Sequence, residues 1–293
     1  SSLYNKTREE FLKKLIEIAP EGLTQVHLNN SGAEAVEAAM KFARKFTGKK
    51  GMVAMKGSYH GKSFGALSLT FNPKYRKAFS PLVEKVSFAS FGDMDSLRSA
   101  IDEDTALIIL EPIQGESGII VAPDGFLQEV RNLCDEKGIL LVFDEIQAGL
   151  GRTGRLWAGE HWNTVPDILC LAKGIAGGVP MGATLVRPDI LAAISKGEHS
   201  STFGGNPISC AAGIAALTSI TEDGLIENSK KMGEVFKEGL EKLKEKHTMI
   251  REIRGKGLMI GIEMKFEVKD ILMGLIQEGV LMLYSGRNIL RIL

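Results

Sequence analysis

Five short runs of almost purely apolar residues, at positions 52–55, 107–110, 139–143, 168–172 and 183–186, punctuate the first two thirds of the sequence. Segments with helical spacing lie between them. A strand with one wet face would alternate polar and apolar residues, so runs this uniform read as strands covered on both faces. Strands of that kind, alternating with helices, define an α/β fold with a largely parallel central sheet and helices on each side. One helix start is explicit: Ser31 and Glu34 form a Ser-x-x-Glu capping pattern. Val36, Met40, Ala43 and Phe46 then follow at helical spacing up to Gly48. A second helix is predicted over 126–136.

After Pro207 the texture changes. A helix rich in small residues comes first, then a charged amphipathic stretch over 228–246, then short strands over 258–264, 280–283 and 289–292, with residues 254–257 read as a turn. This predicts a large domain, 1–208, followed by a smaller α+β domain, 209–293. No low-complexity linker separates them, so they are expected to pack firmly.

Lysine plus arginine number 36 and aspartate plus glutamate 36, so no net positive field exists to hold nucleic acid or an anionic membrane. None of the apolar runs approaches the roughly 20 residues of a membrane helix. The three cysteines, Cys134, Cys170 and Cys210, are scattered and form no CxxC pair, which suggests packing thiols in a reducing cytoplasm. A small-molecule partner is therefore the expectation. Glycine is in excess, 33 of 293 residues, and collects between the regular segments, where backbone can come close to a ligand.

Two glycine clusters nearly fit phosphate motifs. Residues 149–154 spell G-x-G-x-x-G, but Asp144 to Ala148 intervene between the strand and the first glycine. The dinucleotide fingerprint needs that glycine at the turn directly after the strand. Residues 57–63 resemble a P-loop with one residue too few between the glycines to wrap a phosphate.

Asp144 and Lys173 carry more. Each directly follows an apolar run, so both should emerge at carboxyl ends of strands, where open α/β sheets bind ligands. Taken singly, the Asp144-Glu145 pair could cap a helix or bind a metal, and Lys173 could be a solvated charge. A lysine and a carboxylate facing one another suit pyridoxal phosphate: the amine bonds the aldehyde and the acid keeps the ring nitrogen protonated. Ser31-Gly32-Ala33, at a helix N-terminus, could take the phosphate.

Six segments resemble, in order, the class III, fold-type I pyridoxal-phosphate aminotransferases: Asn30-Ser31-Gly32-Ala33-Glu34-Ala35, Tyr59-His60-Gly61, Glu111-Pro112-Ile113-Gln114-Gly115-Glu116, Asp144-Glu145-Ile146-Gln147 on to Gly154, Leu171-Ala172-Lys173-Gly174, and Thr202-Phe203-Gly204-Gly205-Asn206-Pro207. The likeness is to the acetylornithine and ornithine branch with its lysine-biosynthetic relatives. It implies that Lys173 is the Schiff-base lysine and proton carrier and that Asp144 pairs the pyridinium nitrogen. It places Gln147 at the ring hydroxyl, Tyr59 on the ring face beside His60, and Ser31, Gly32 and Ala33 at the phosphate. Thr202 resembles the threonine that reaches the neighbouring subunit's phosphate, which makes a homodimer with shared sites the expectation.

By the same resemblance, Arg291 takes the carboxylate of glutamate or 2-oxoglutarate and Glu116 neutralises it when the other substrate is bound. The alternative for Arg291 is a surface charge on an edge strand. Lys62 stands where relatives often have an arginine for the donor's α-carboxylate, and a lysine offers a point charge instead of a planar fork. The resemblance implies a start after the family's N-terminal arm and a stop before the segment that usually follows Arg291. The implied reaction moves the terminal amine of acetylornithine, or a similar N-blocked basic amino acid, to 2-oxoglutarate, giving a semialdehyde and glutamate. Alternatives are an ornithine or 4-aminobutyrate aminotransferase, or a non-catalytic relative of the same fold.

Overall fold

The computed structural model describes residues 3–293. Its strands are β1 (Gln25–Asn29), β2 (Gly51–Met55), β3 (Val86–Ala89), β4 (Thr105–Leu110), β5 (Ile113–Gln114), β6 (Ile120–Val121), β7 (Leu140–Asp144), β8 (Ile168–Leu171), β9 (Gly182–Val186), β10 (Ile250–Lys256), β11 (Met259–Met264), β12 (Leu283–Ser285) and β13 (Ile289–Ile292). Its helices are α1 (Lys6–Glu17), α2 (Gly32–Thr47), α3 (Phe64–Leu69), α4 (Pro73–Arg76), α5 (Met94–Ala100), α6 (Phe126–Lys137), α7 (Pro188–Ala192), α8 (Pro207–Glu222), α9 (Leu225–Lys246) and α10 (Lys269–Gln277). None is long and apolar enough to cross a membrane.

Seven strands form the main sheet in the order β1-β9-β8-β7-β4-β2-β3. Neighbours from β8 to β3 run parallel, and β9 runs antiparallel to both β8 and β1. The five apolar runs are its interior strands, and every residue of β2, β4, β7, β8 and β9 is buried. Side chains alternate between two cores: Leu141 and Phe143 of β7 point into one, Leu140 and Val142 into the other. Cutting Phe143 back to alanine would cost about 3–5 kcal/mol through lost burial and a residual cavity.

α2 covers one face. The Ser31 hydroxyl accepts from Glu34 N at 3.2 Å, and Gly48 ends the helix in the left-handed conformation at φ 70°. Its buried stripe of Ala35, Val36, Ala39, Met40 and Ala43 is mostly small, which lets the helix lie close on β8 and β9. α6 and α8 support the opposite core through Leu127, Val130, Cys210 and Leu217. The amphipathic stretch over 228–246 lies within α9, and the small-residue helix is α8, started by Pro207 behind the Asn206 cap.

The C-terminal segment builds a four-stranded antiparallel sheet in the order β10-β11-β13-β12, with a small core of Ile262, Met264, Val268 and Leu290. Residues 254–257 are not a turn as a whole. Arg254, Gly255 and Lys256 pair with Gly261, Ile260 and Met259, and the chain reverses only at Gly257 and Leu258. The strand expected over 280–283 begins at Leu283, because Val280 N still closes the end of α10 by bonding Leu275 O at 2.8 Å.

Candidate active site

Asp144 ends β7, and its register partner on parallel β8 is Cys170, three residues before Lys173. Acid and amine thus leave the same edge of the sheet side by side. Both line one cavity of about 430 Å³, together with Ser31, Gly32, Ala33, Tyr59, His60, Lys62, Glu116 and Gln147. Ten of the twelve residues singled out from the sequence meet there. Lys173 sits at φ 47°, a left-handed conformation costing about 1–2 kcal/mol for a residue with a Cβ.

Asp144 is buried, and its Oδ2 lies 2.8 Å from Nδ1 of equally buried His60, while Oδ1 accepts from Ile146 N at 3.1 Å. An acceptor-only carboxylate places the proton on Nδ1. His60 is itself anchored by its N–H donating to Thr70 Oγ1 at 2.9 Å. Burial lowers the Lys173 amine below its ordinary range, opposed by the charges of Asp144, Glu111 and Glu116, so the neutral, nucleophilic form is more accessible than for a free lysine.

α2 presents its N-terminus to the same cavity. Glu34 N is taken by the Ser31 hydroxyl and Ala35 N by Ser31 O. Among the described residues no acceptor of the protein takes the Gly32 and Ala33 N–H groups. A Cβ on Gly32 would meet Ile146 Cδ1 at 2.7 Å, so a larger residue there would push the Ile146 side chain aside. Two further polar atoms of the cavity residues, Gln147 Oε1 and His60 Nε2, are buried with no partner.

The Tyr59 ring meets Tyr75 edge-on at 6.0 Å, and Lys62 Nζ rests 4.4 Å from the Tyr75 ring centre. Arg291 enters from the other sheet. It lies on β13, an interior strand, and is 6% exposed, so the edge-strand reading fails. Its Nη1 bonds Glu116 Oε1 at 2.8 Å and Gly115 O at 3.1 Å, and its Nε is buried without a partner. Arg291, Glu116 and Tyr59 border a wider adjoining cavity. Ser285 on β12 donates to Glu116 O, tying the same loop to the small sheet.

Thr202 is exposed and does not line the cavity; the structure places it beside Ser201, whose hydroxyl accepts from Asn30 Nδ2 at 2.9 Å. Glu111, Asn30 and Tyr75 belong to the site and were assigned no role from the sequence. For Glu111 a signal was present: it directly follows the run 107–110, as Asp144 and Lys173 follow theirs. The G-x-G-x-x-G segment opens no helix. Its Gly151 and Gly154 give close approach to Ile226 and Lys230 at the start of α9. Among the described residues no group of three or more His, Cys, Asp or Glu could hold a metal ion.

A doubly covered, mostly parallel sheet that brings a lysine, an acid and a helix N-terminus to one cavity is the arrangement of pyridoxal-phosphate aminotransferases. The sequence matches the family aminotransferase class-III over residues 1–293, and the chain belongs to that family. It is 47% identical over 260 residues to an acetylornithine aminotransferase of Methanopyrus kandleri, covering 89% of this chain and 66% of that protein. It is 44% identical over 293 residues to a [LysW]-aminoadipate semialdehyde/glutamate semialdehyde transaminase of Sulfurisphaera tokodaii, covering 100% of this chain and 76% of that protein. The chain thus spans about two thirds to three quarters of these relatives. Among solved structures, an ornithine aminotransferase of Toxoplasma gondii superimposes with a TM-score of 0.95 at 33% identity, covering 99% of this chain and 72% of the other. The same figures hold for a crystal of that enzyme with PLP partly occupying its active site.

Proposed function

We propose that this protein transfers the terminal amine of acetylornithine, or of a similar N-blocked basic amino acid, to 2-oxoglutarate by a ping-pong route, leaving a semialdehyde and glutamate. The observation that carries this reading is the shared cavity of Lys173 and Asp144, with His60 holding the acid. Pyridoxal phosphate would supply an aldehyde for the amine and a ring that absorbs the electrons of the carbon beside it.

The residues fit that group. Lys173 offers the amine, and Asp144 keeps lone pairs free for a ring N–H after serving His60 and Ile146. Gln147 Oε1, buried without a partner, suits a ring hydroxyl. The Gly32 and Ala33 N–H groups, at the positive end of α2, suit a phosphate. Once released, the Lys173 amine is placed to take the proton from the amine-bearing carbon of the substrate. Tyr59 covers the cavity side and keeps water from that carbon.

Glu116 and Arg291 handle two unlike substrates. Paired at 2.8 Å, they leave no net charge for the donor's apolar chain to meet. A dicarboxylate acceptor would displace Glu116 and take the Arg291 fork bidentately. Lys62, held over Tyr75, would serve the donor's carboxylate as a point charge. The 44% identity to the LysW-linked transaminase, over all of this chain and 76% of that protein, supports a second donor, an aminoadipate-derived amine on a carrier. We further place Thr202 at the neighbouring subunit's phosphate in a homodimer, divide the chain into domains near residue 208, and assign it to the cytoplasm on its three free cysteines. Borohydride reduction should fix a pyridoxyl mass on Lys173. A panel of donors with 2-oxoglutarate should then single out acetylornithine or the carrier-linked amine; a protein that takes up no label overturns the reading.

A further inference from the structure

Glu111 emerges from β4 beside the point where Asp144 ends β7, since Leu110 and Phe143 are register partners on these parallel neighbours. The carboxyl is 6% exposed and both its oxygens are engaged. Oε1 accepts from Tyr59 N at 3.0 Å, and Oε2 accepts from Gly115 N at 3.0 Å. Each amide belongs to a segment that forms the site. Tyr59 lines the cavity and precedes His60, which holds Asp144. Gly115 precedes Glu116, and its carbonyl receives the Arg291 guanidinium at 3.1 Å.

We infer that Glu111 is a positioning residue: its buried carboxylate clamps the Tyr59-His60 segment to the Gly115-Glu116 segment and so sets the aim of the Glu116–Arg291 pair against the rest of the cavity. The inference rests on the proposed function only in its kinetic consequence. A carboxylate with no cation in contact is an expensive way to hold two loops. Burial pushes its proton affinity up, His60 and the two amide donors push it down, and Asp144 adds to the rise. Glutamine could not replace it, because its NH₂ would face one of the two N–H groups. Glu145 is a natural control. It is equally buried and accepts from Ala158 N and Gly159 N at 2.6 and 2.8 Å, but that loop lies outside the cavity.

The test compares holoenzyme with Glu111→Gln, Glu111→Asp and Glu145→Gln. Hydrogen exchange should quicken by about tenfold or more at peptides containing Tyr59 and Gly115 in both Glu111 variants, and in neither region for Glu145→Gln. The KM for 2-oxoglutarate should rise roughly tenfold while kcat falls less, with a pyridoxyl label still fixed on Lys173. Glu111→Asp keeps the charge but falls one methylene short. If it restores wild-type exchange and KM, charge alone matters and the clamp is refuted. Unchanged exchange refutes it too, as does faster exchange with no shift in KM, or an equal shift in Glu145→Gln. A wild type that turns over no donor breaks the proposed function, and the exchange comparison still decides the clamp.

Discussion

The two sheets serve one site on unequal terms. In the seven-stranded sheet each interior strand is buried along its whole length between two cores, and it fixes the acid, the amine, the histidine and the helix N-terminus. The four-stranded sheet has a small core of four buried side chains, its helix α10 buries none, and the charged group it brings to Glu116 is Arg291. The residues proposed to hold the cofactor stand on the more deeply packed body, and the arginine proposed to answer two substrates stands on the lesser one. Glu116 belongs to the large body but faces the small one, which makes its contact with Arg291 the seam.

Substitutions can break or sharpen that contrast. Lys173→Ala should abolish turnover with every substrate, by about 10⁴-fold or more, while the thermal midpoint stays level, since alanine keeps the Cβ and with it the backbone strain at φ 47°. Residual activity above a hundredth, seen in single-turnover assays, would detach the lysine from the chemistry. Asp144→Asn should slow both half-reactions by roughly 10²–10³-fold, because an amide carries no charge to hold a ring proton and has one acceptor oxygen where Asp144 uses two, for His60 and for Ile146 N. Equal rates in stopped-flow would contradict the role given to Asp144.

Core truncations test the two bodies directly. Leu141→Ala in the large sheet should lose about 3–5 kcal/mol in denaturant unfolding, and Leu290→Ala in the small one nearer 2 kcal/mol, since less packing surrounds it. The reverse order would overturn the contrast in packing. Arg291→Lys should raise the KM for 2-oxoglutarate about 10- to 100-fold and leave the donor half-reaction within about threefold, because only the acceptor needs the planar fork. Losses shared by both substrates would show that Arg291 supports the fold and not one ligand.

The smallest effect concerns pH. Burial raises Glu145 from 4.5 to about 7 despite its two amide donors. A carboxyl whose folded value lies above its unfolded one stabilises the fold fully below pH ~4.5, and the gain is lost as pH rises through ~7. Relative to Glu145→Gln, the wild type should therefore lose stability progressively between those limits. A pH-independent difference in unfolding midpoints would rule this out.

The strands missed or shifted in the sequence reading share one property: they are edges. β1 and β3 flank the large sheet, and β10 and β12 flank the small one. An edge strand keeps one side open, so Gln25, His27 and Ser87 interrupt its apolar pattern, and Gly255 and Lys256 made β10 look like a turn. Interior strands, closed on both faces, had no such latitude and stood out at once. The positions just past them were legible for the same reason. Glu111 satisfied the same rule and was passed over because nothing local shows that its two oxygens meet Tyr59 and Gly115.

What the chain determined by itself was local: the Ser31 cap and Gly48 stop of α2, the central apolar strands, and the emergence of Asp144 and Lys173 at their ends. Only the assembled fold decided which ends became neighbours, and that Arg291 would reach Glu116 across 175 positions. Short-range pattern records how each segment is covered. Contacts between distant segments depend on strand order and loop closure, which are settled when the sheets pack together.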